Sequence, residues 1–209
     1  MLCAINLESL KERYINLAIF NVAMEDIVTL VGPRSVGKSS IGKIMAKSLG
    51  WIFIDLDEYM NQVLKNDGGI GGFTDKYGWN AYMKVLHKEL KELLTSLKNK
   101  KVVLDCGGGT ISSEFPESEL NAHLLKRHSK IVLILPHEDE ERGLQILLER
   151  EKTRKHFFDW PIEKIEEKTR KDYFERVPGM EGFAHEIIHT NEKPPKEIAK
   201  LIEKLISTD

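Results

Sequence analysis

The stretch Gly32-Pro33-Arg34-Ser35-Val36-Gly37-Lys38-Ser39 fits the pattern G-x-x-x-x-G-K-[ST] in full. The apolar run Ile27–Val31 precedes it, and a helical pattern from Ser39 to Leu49 follows it. A glycine-rich turn between a strand and a helix directs its backbone N–H groups at phosphate oxygens, and the helix dipole adds to the attraction for an anion. The stretch therefore predicts a site for a nucleoside triphosphate.

Each residue type in this phosphate loop (residues 32–39) has its own expected task. Lys38 is expected to hold the β- and γ-phosphates and to act in catalysis, and the Ser39 hydroxyl is expected to bind Mg²⁺. The implied cofactors are ATP and Mg²⁺. A GTPase is disfavoured because the chain has no Asn-Lys-x-Asp guanine motif. The residues predicted to bind nucleotide here are Gly32, Arg34, Ser35, Val36, Gly37, Lys38, Ser39 and Ser40.

Composition and charge narrow the class of protein further. The chain has 209 residues, enough for one domain, and its 31 Lys and Arg against 33 Asp and Glu give a formal net charge of -2. That balance disfavours a general nucleic-acid binder, and the apolar runs are too short to span a membrane. Two cysteines, Cys3 and Cys106, do not make a disulfide framework. We expect a cytoplasmic protein that is a monomer, with a weak dimer as the alternative.

Apolar runs alternate with amphipathic helical patterns along the chain. This alternation predicts the α/β class, with a mostly parallel five-stranded sheet and helices on both of its faces. Residues 1–25 are predicted to form an N-terminal helical extension to a domain over 26–209, with a lid at about 150–172. Residues 66–78, rich in glycine, are predicted to be a mobile loop. The five predicted strands are Ile27–Val31, Trp51–Leu56, Val102–Asp105, Ile131–Leu135 and Glu186–His189.

Two polar motifs follow predicted strands. Asp55 and Asp57 close the second strand, and because residues two apart on a strand share a face, their carboxylates are expected to project together. Asp55 is then placed to hold Mg²⁺ and Asp57 to accept the proton of an attacking hydroxyl; the alternative is that Asp57 caps the helix that follows it. Asp105, at the end of the third strand, is a second candidate metal carboxylate. The glycines Gly107 to Gly109 that follow allow close approach of a substrate or form a flexible turn.

Taken in order, the phosphate loop, the Asp-x-Asp pair, the triple glycine, the charged lid and the final turn Thr190–Pro195 resemble the shikimate kinase family. The resemblance covers roughly residues 26–206. It implies a P-loop kinase fold, a three-layer sandwich with a lid. It also implies ATP-dependent phosphoryl transfer to a hydroxyl of a small-molecule acceptor, with shikimate as the first guess.

The resemblance also assigns residues to roles. By this resemblance Asp57 contacts the acceptor hydroxyl, Asp55 lies near Mg²⁺, and Arg154 in the lid reaches the transferring phosphate, with Arg150 as the second match. Arg170 is assigned to the acceptor carboxylate, and the turn containing Asn191 to the adenine. The resemblance further places the acceptor pocket at Tyr82, Met83, Gly107, Gly108 and Gly109.

The sequence departs from the family pattern on the acceptor side. Met83 and Leu86 stand where the family has the carboxylate-binding Arg and the Glu that braces it. Lys84 lies about 100° further round the helix and does not replace a planar guanidinium. Two alternatives stay open: a kinase for another polyol or sugar acid such as gluconate, and a nucleotide-binding regulatory protein without shikimate kinase activity. If shikimate is the acceptor, Met83→Arg is expected to lower its KM.

Overall fold

The computed structural model describes residues 26–112, 114–153 and 160–207. Its centre is a five-stranded sheet with the order β2-β3-β1-β4-β5, in which every adjacent pair of strands is parallel. The predicted five-stranded α/β fold is therefore confirmed. The strands are β1 (Ile27–Val31), β2 (Ile52–Asp55), β3 (Val102–Asp105), β4 (Lys130–Leu135) and β5 (Glu186–His189).

Helices connect the strands, as parallel pairing requires. A 3₁₀ turn at Lys65–Asp67 separates two of them. The helices are α1 (Lys38–Leu49), α2 (Leu56–Val63), α3 (Gly69–Tyr77), α4 (Trp79–Ser96), α5 (Pro116–His128), α6 (Glu140–Lys152), α7 (Ile162–Phe183) and α8 (Pro195–Ile206).

The helices form two layers around the sheet. Helix α1 contacts β1, β2 and β3 and packs on α8. Helices α5 and α7 contact β4, while α4 packs on α5 and α6 packs on α7. All residues of β1 and β3 are buried, in keeping with a parallel sheet covered on both faces, whose strands are continuous apolar runs. The edge strands are more open: Ile52 of β2 is 47% exposed and Ile187 of β5 is 44% exposed.

Strand register brings the predicted motifs to one edge of the sheet. Asp105 of β3 pairs with Leu30 of β1 on one side and with Asp55 of β2 on the other. Because the three strands are parallel and in step, the segments that follow them leave the sheet side by side. The phosphate loop, the Asp55-Leu56-Asp57 segment and the triple glycine are these segments, so the C-terminal edge of the sheet carries the candidate site.

The prediction of a mobile loop over residues 66–78 was wrong. The segment holds the 3₁₀ turn and helix α3. Apolar residues at helical spacing, Ile70 and Phe73, pack against the core, and the Ile70 N–H donates a 2.9 Å hydrogen bond to the Asn61 side chain. The glycines of this segment predicted a loop, although the spacing of its apolar residues is that of a helix.

The predicted lid region is partly described. Helix α6 ends at Lys152, and Pro161 is the N-cap residue of α7, so the chain passes from one helix to the next inside the predicted lid. Arg154 and residues 1–25 lie outside the described residues. Within the described ranges, the structure has no helix that is both long enough and apolar enough to span a membrane.

Candidate active site

The phosphate loop joins the end of β1 to the start of α1. Lys38 is buried, and its Nζ donates hydrogen bonds to the main-chain carbonyls of Gly32 (3.0 Å) and Pro33 (3.1 Å). Its charge lowers the pKa values of Asp57 and Asp105, opposing the larger effect of burial on each. The ammonium group is therefore electrostatically coupled to both carboxylates. Ser40, also in the predicted nucleotide set, is exposed on the first turn of α1.

Ser39 and Asp105 form the polar centre of the site. The Ser39 hydroxyl donates a 2.5 Å hydrogen bond to Oδ2 of Asp105. Asp105 is 4% exposed, and its second oxygen, Oδ1, is buried without a hydrogen-bond partner among the described residues. Burial raises the pKa of Asp105, and the nearby charges of Asp55 and Asp57 raise it further. A buried carboxylate oxygen without a donor is a position where a cation is stabilising.

The described residues include no cluster of three or more His, Cys, Asp or Glu side chains that would hold a metal by themselves. Mg²⁺ in phosphate-transfer sites is commonly held by one or two protein oxygens together with substrate phosphates and water. The Ser39 hydroxyl and the free oxygen of Asp105 fit that type of site. The donor set at Ser39 and Asp105 is therefore chemically suited to Mg²⁺.

Asp55, the other predicted metal residue, has a structural contact. Its Oδ1 accepts hydrogen bonds from the N–H groups of Asp57 (3.0 Å) and Glu58 (3.1 Å), which makes it the N-cap of α2. The cap predicted as the alternative for Asp57 is thus provided by Asp55, one position before the helix begins. The cap fixes the first turn of α2 and with it the position of Asp57.

Asp57 lies against the triple glycine. A methyl group added at Gly107 would lie 2.8 Å from Oδ2 and 2.9 Å from Cγ of Asp57, so the carboxylate occupies space that only glycine leaves free. Asp57 keeps solvent access, yet the protein atoms packed around its carboxylate raise its pKa, and the Asp55 charge raises it further. Lys38 and Arg34 act in the opposite direction.

Helix α4 places Tyr82 near Asp57 and buries two further residues in the core. Tyr82 is 5% exposed, and burial followed by the charge of Asp57 raises the pKa of its hydroxyl. Its ring meets that of Trp79 edge-on at 5.6 Å. Met83 and Leu86 are each 2% exposed in the hydrophobic core. Met83, predicted at the acceptor pocket, therefore contributes packing to α4 and no polar contact.

A cleft lies between the phosphate loop, the triple glycine and helices α6 and α7. Arg176 of α7 lines this cleft and has two carboxylate partners: Nε donates to Glu114 (2.9 Å), and Nη2 pairs with Asp172 (3.3 Å). A methyl group added at Gly108 would lie 3.6 Å from the Gly32 carbonyl oxygen and 3.9 Å from Nη1 of Arg176. Gly108 thus lies between the phosphate loop and the Arg176 guanidinium, with room beside it for about one methyl group. The cleft is lined by Pro33, Arg34, Gly108, Leu147, Glu151, Lys168, Thr169, Asp172, Tyr173 and Arg176.

Arg170 and Asn191 lie away from this cleft. Arg170 is half exposed and pairs with Glu141 of α6 at 3.2 Å, so the structure does not bring it to the triple glycine. Asn191, in the turn after β5, donates through its N–H to the Pro136 carbonyl (3.1 Å) and through Nδ2 to Glu138 (3.3 Å). It lies at the C-terminal edge of the sheet, beside the end of β4.

Sequence reasoning missed Arg176, although a signal was present. The buried residues of α7, among them Tyr173 and Val177, mark its inner face. Arg170 and Arg176 are six residues apart, which on a helix places them about 120° apart, one on each flank of that face. The resemblance assigned Arg170, whereas the elements packed against α7 decide which flank faces the triple glycine. The i,i+4 pair Asp172–Arg176 indicates an ordered arginine on that flank.

Comparisons with known proteins agree with this geometry. The shikimate kinase family model matches residues 34–207. A shikimate kinase from Acinetobacter baumannii, solved in complex with shikimate, has a TM-score of 0.69 and 27% identity, covering 88% of this chain and 93% of that chain. A gluconokinase from Sinorhizobium meliloti, with a TM-score of 0.54 and 18% identity over 88% of this chain and 93% of that one, shares the fold.

Curated relatives match over shorter stretches. The pentafunctional AROM polypeptide of Pneumocystis carinii is 36% identical over 100 residues, 48% of this chain and 6% of that polypeptide. Shikimate kinase 2 of Yersinia enterocolitica is 29% identical over 111 residues, 53% of this chain and 58% of that enzyme. The aligned stretches thus span only part of these relatives. Because the family model covers most of the chain and the phosphate loop, Asp57 and the triple glycine converge as its motifs require, the protein belongs to the shikimate kinase family.

Proposed function

We propose that this protein is an ATP-dependent kinase that phosphorylates a hydroxyl of a small-molecule acceptor, with shikimate as the first acceptor to test. The observation that carries the proposal is the convergence of Lys38, Asp57 and the Ser39–Asp105 pair beside the phosphate loop. A charged lysine, a carboxylate near the acceptor and a metal-suited pair are the parts that phosphoryl transfer needs. The solved relative that holds shikimate supports the choice of acceptor.

In this proposal the phosphate loop binds the triphosphate of ATP through its N–H groups, and Lys38 places its charge at the β- and γ-phosphates. Ser39 and Asp105 would hold Mg²⁺, which would neutralise charge on the phosphate oxygens. Asp55 caps the helix that carries Asp57 and so orients Asp57. Asp55 is also proposed to contact Mg²⁺ through a water molecule. Asn191 is assigned to the adenine by the family pattern.

Asp57 is the proposed base. Burial, and after it the Asp55 charge, raises the pKa of its carboxyl, so Asp57 binds a proton more strongly than an ordinary carboxylate does, which favours a role as general base. The acceptor hydroxyl gives its proton to Asp57, its oxygen forms the new bond to the γ-phosphorus, and the bond to the β–γ bridging oxygen breaks with its electron pair staying on ADP. Asp57 releases the proton to solvent, to which it has access.

The acceptor is proposed to lie over the triple glycine, between Asp57 and the cleft that holds Arg176. Gly107 gives Asp57 its room, and Gly108 brings the acceptor close to the phosphate loop. Arg176 takes the anion-binding task that the family pattern assigned to Arg170, because its guanidinium faces Gly108. Tyr82 closes the side toward α4. Arg154 remains the proposed lid residue.

A second candidate acceptor is a polyol or sugar acid such as gluconate. The burial of Met83 and Leu86 favours it, since α4 offers no guanidinium where the family pattern has one. An acceptor whose edge facing α4 is neutral loses nothing by that change, whereas a carboxylate there loses a bidentate contact.

The test is ADP formation from MgATP with shikimate, quinate, gluconate and nucleosides supplied separately. Turnover with shikimate establishes the first proposal, and turnover with gluconate alone establishes the second. MgATP binding without turnover on any acceptor contradicts both and supports the regulatory alternative. Asp57→Asn is the matched control, because it keeps the size of the side chain and removes the base.

A further inference from the structure

We infer that Arg150 and Glu151, at the end of α6, are positioning residues that hold Ser35 and Val36 of the phosphate loop in the conformation that binds nucleotide. This inference rests on the proposal that the loop binds a nucleotide. In this role Arg150 and Glu151 contact the loop and not the phosphates. They connect the phosphate loop to α6, the helix that leads into the predicted lid.

The backbone at Ser35 is the first observation. Its φ is 62°, in the left-handed region, which residues other than glycine enter at a cost. Ser35 Oγ donates a hydrogen bond to Oε1 of Glu151. Glu151 is 2% exposed, so its carboxylate is fixed by its surroundings, and Arg34 Nε lies 3.9 Å from the other oxygen. The hydrogen bond from Ser35 to a fixed acceptor offsets the cost of the left-handed backbone.

Arg150 is the second observation. Its Nη1 donates to the main-chain carbonyls of Ser35 and Val36, each at 3.1 Å. In a planar trans peptide unit the C=O and the next N–H point in opposite directions. With both carbonyls turned toward Arg150, the N–H groups of Val36 and Gly37 point away from α6. The inference places the phosphate oxygens on the side of the loop to which these two N–H groups point.

The two contacts act together because the residues are adjacent in sequence. Arg150 orients the peptide planes that follow Ser35 and Val36, and Glu151 holds the Ser35 side chain. Three hydrogen bonds therefore join the end of α6 to residues 35 and 36 of the phosphate loop. A pre-formed set of donors binds an anion more tightly than one that must order on binding. Nucleotide affinity should therefore depend on this contact, whereas the KM of the acceptor should not.

A pair of substitutions at Ser35 isolates the conformational effect. Ser35→Ala and Ser35→Gly both remove the hydroxyl from Glu151, but alanine retains the cost of the left-handed backbone and glycine does not. By calorimetric titration with MgADP, we expect Ser35→Ala to bind about tenfold more weakly than the parent, and Ser35→Gly to recover most of that loss. Equal MgADP affinities for the two variants would overturn the inference.

Arg150 provides an independent measurement. Arg150→Gln should weaken MgADP binding about tenfold, as expected for loss of charged hydrogen bonds to two carbonyls. The matched control is Arg127→Gln, an exposed arginine at the end of α5 on the opposite edge of the sheet, which should bind MgADP like the parent. Unchanged binding by Arg150→Gln also overturns the inference.

Failure of the inference and failure of the proposed function give different results. If the parent protein does not bind MgADP, the proposed nucleotide site is wrong. If the parent binds MgADP and the Ser35 and Arg150 variants bind it equally well, the site stands and the positioning task is refuted. Thermal unfolding of each variant, followed by circular dichroism, separates loss of fold from loss of affinity.

Discussion

The carboxylate of Asp57 lies so close to the Cα of Gly107 that a single added methyl group would sit 2.8 Å from its Oδ2. The two residues leave neighbouring strands, β2 and β3, whose register is fixed by the Asp55–Asp105 pairing. The sheet thus sets the distance between the proposed base and the glycine over which the acceptor is proposed to lie. This relationship makes the position of Asp57 testable without altering Asp57.

Gly107→Ala should therefore displace the Asp57 carboxylate. The new methyl group overlaps both Oδ2 and Cγ, and relief requires the side chain or the helix start to move. A shift of the order of 1 Å in a reacting group costs about 10²-fold in rate, so we expect kcat to fall by roughly that factor while the Kd for MgADP is retained. Steady-state kinetics and MgADP titration measure the two effects.

Gly71→Ala is the matched control for Gly107→Ala. Gly71 is a residue of helix α3, and an added methyl group there meets no atom within 4 Å. The variant should show parent kinetics and a gain in stability of about 0.5–1 kcal/mol from helix propensity. Parent kinetics in Gly107→Ala as well would show that the base tolerates displacement or lies elsewhere.

The raised pKa of Asp57 predicts the pH dependence of turnover. As a base Asp57 acts only when ionised, so the acid limb of the kcat/KM profile should lie above the ordinary carboxyl pKa of 3.8. Asp55→Asn removes a charge that raises this pKa and keeps a residue suited to capping α2, so the limb should move to lower pH. Asp57→Asn should lower kcat by about 10²–10⁴-fold. An acid limb that stays in place in Asp55→Asn would contradict the coupling between the two carboxylates.

The raised pKa of Asp57 also makes the free energy of unfolding depend on pH. Because the folded-state pKa of Asp57 is raised, the folded protein holds its proton more tightly than the unfolded chain does, and this contribution is lost as pH rises through the folded-state pKa. Asp57→Asn replaces the carboxyl group with an amide that does not titrate. Its free energy of unfolding should therefore exceed that of the parent at neutral pH, by an amount that shrinks toward pH 3.8 and stays modest because solvent reaches the group. Urea unfolding at several pH values measures the difference.

Arg170 and Arg176 give opposite expectations for acceptor binding. Arg176→Gln removes the guanidinium that faces Gly108, so the acceptor KM should rise about 10–100-fold, as for loss of a hydrogen bond to a charged group. Arg170→Gln removes an exposed ion pair with Glu141, worth about 0–1 kcal/mol, and should leave the acceptor KM unchanged. The KM for MgATP should stay the same in both. The reverse outcome would restore the assignment of Arg170 that the family resemblance implied.

The position of a motif could be predicted from the sequence where the motif directly follows a strand. The phosphate loop, Asp57 and the triple glycine each follow a strand directly, so a parallel sheet brings them together whatever the packing of the helices. Arg176 depends on how α7 is rotated against its neighbours, and the position of Met83 depends on which face of α4 is buried. Helix rotation is a tertiary property, set by the sum of contacts along the helix, so a short sequence motif does not determine it.

Met83 shows how the structure changes an expectation drawn from the family pattern. A guanidinium at position 83 would have to enter the core, where Met83 and Leu86 are each 2% exposed. An uncompensated buried charge costs about 3–5 kcal/mol, a large part of the 5–15 kcal/mol that stabilises a typical domain. Met83→Arg should therefore lower the free energy of unfolding by about that amount without lowering the KM for shikimate. Met83→Leu keeps the volume and should cost less than about 1.5 kcal/mol. Urea unfolding of both variants, with the shikimate KM measured on the folded fraction, makes the comparison. A stable Met83→Arg protein with a lowered KM would show that α4 can turn this position toward the acceptor.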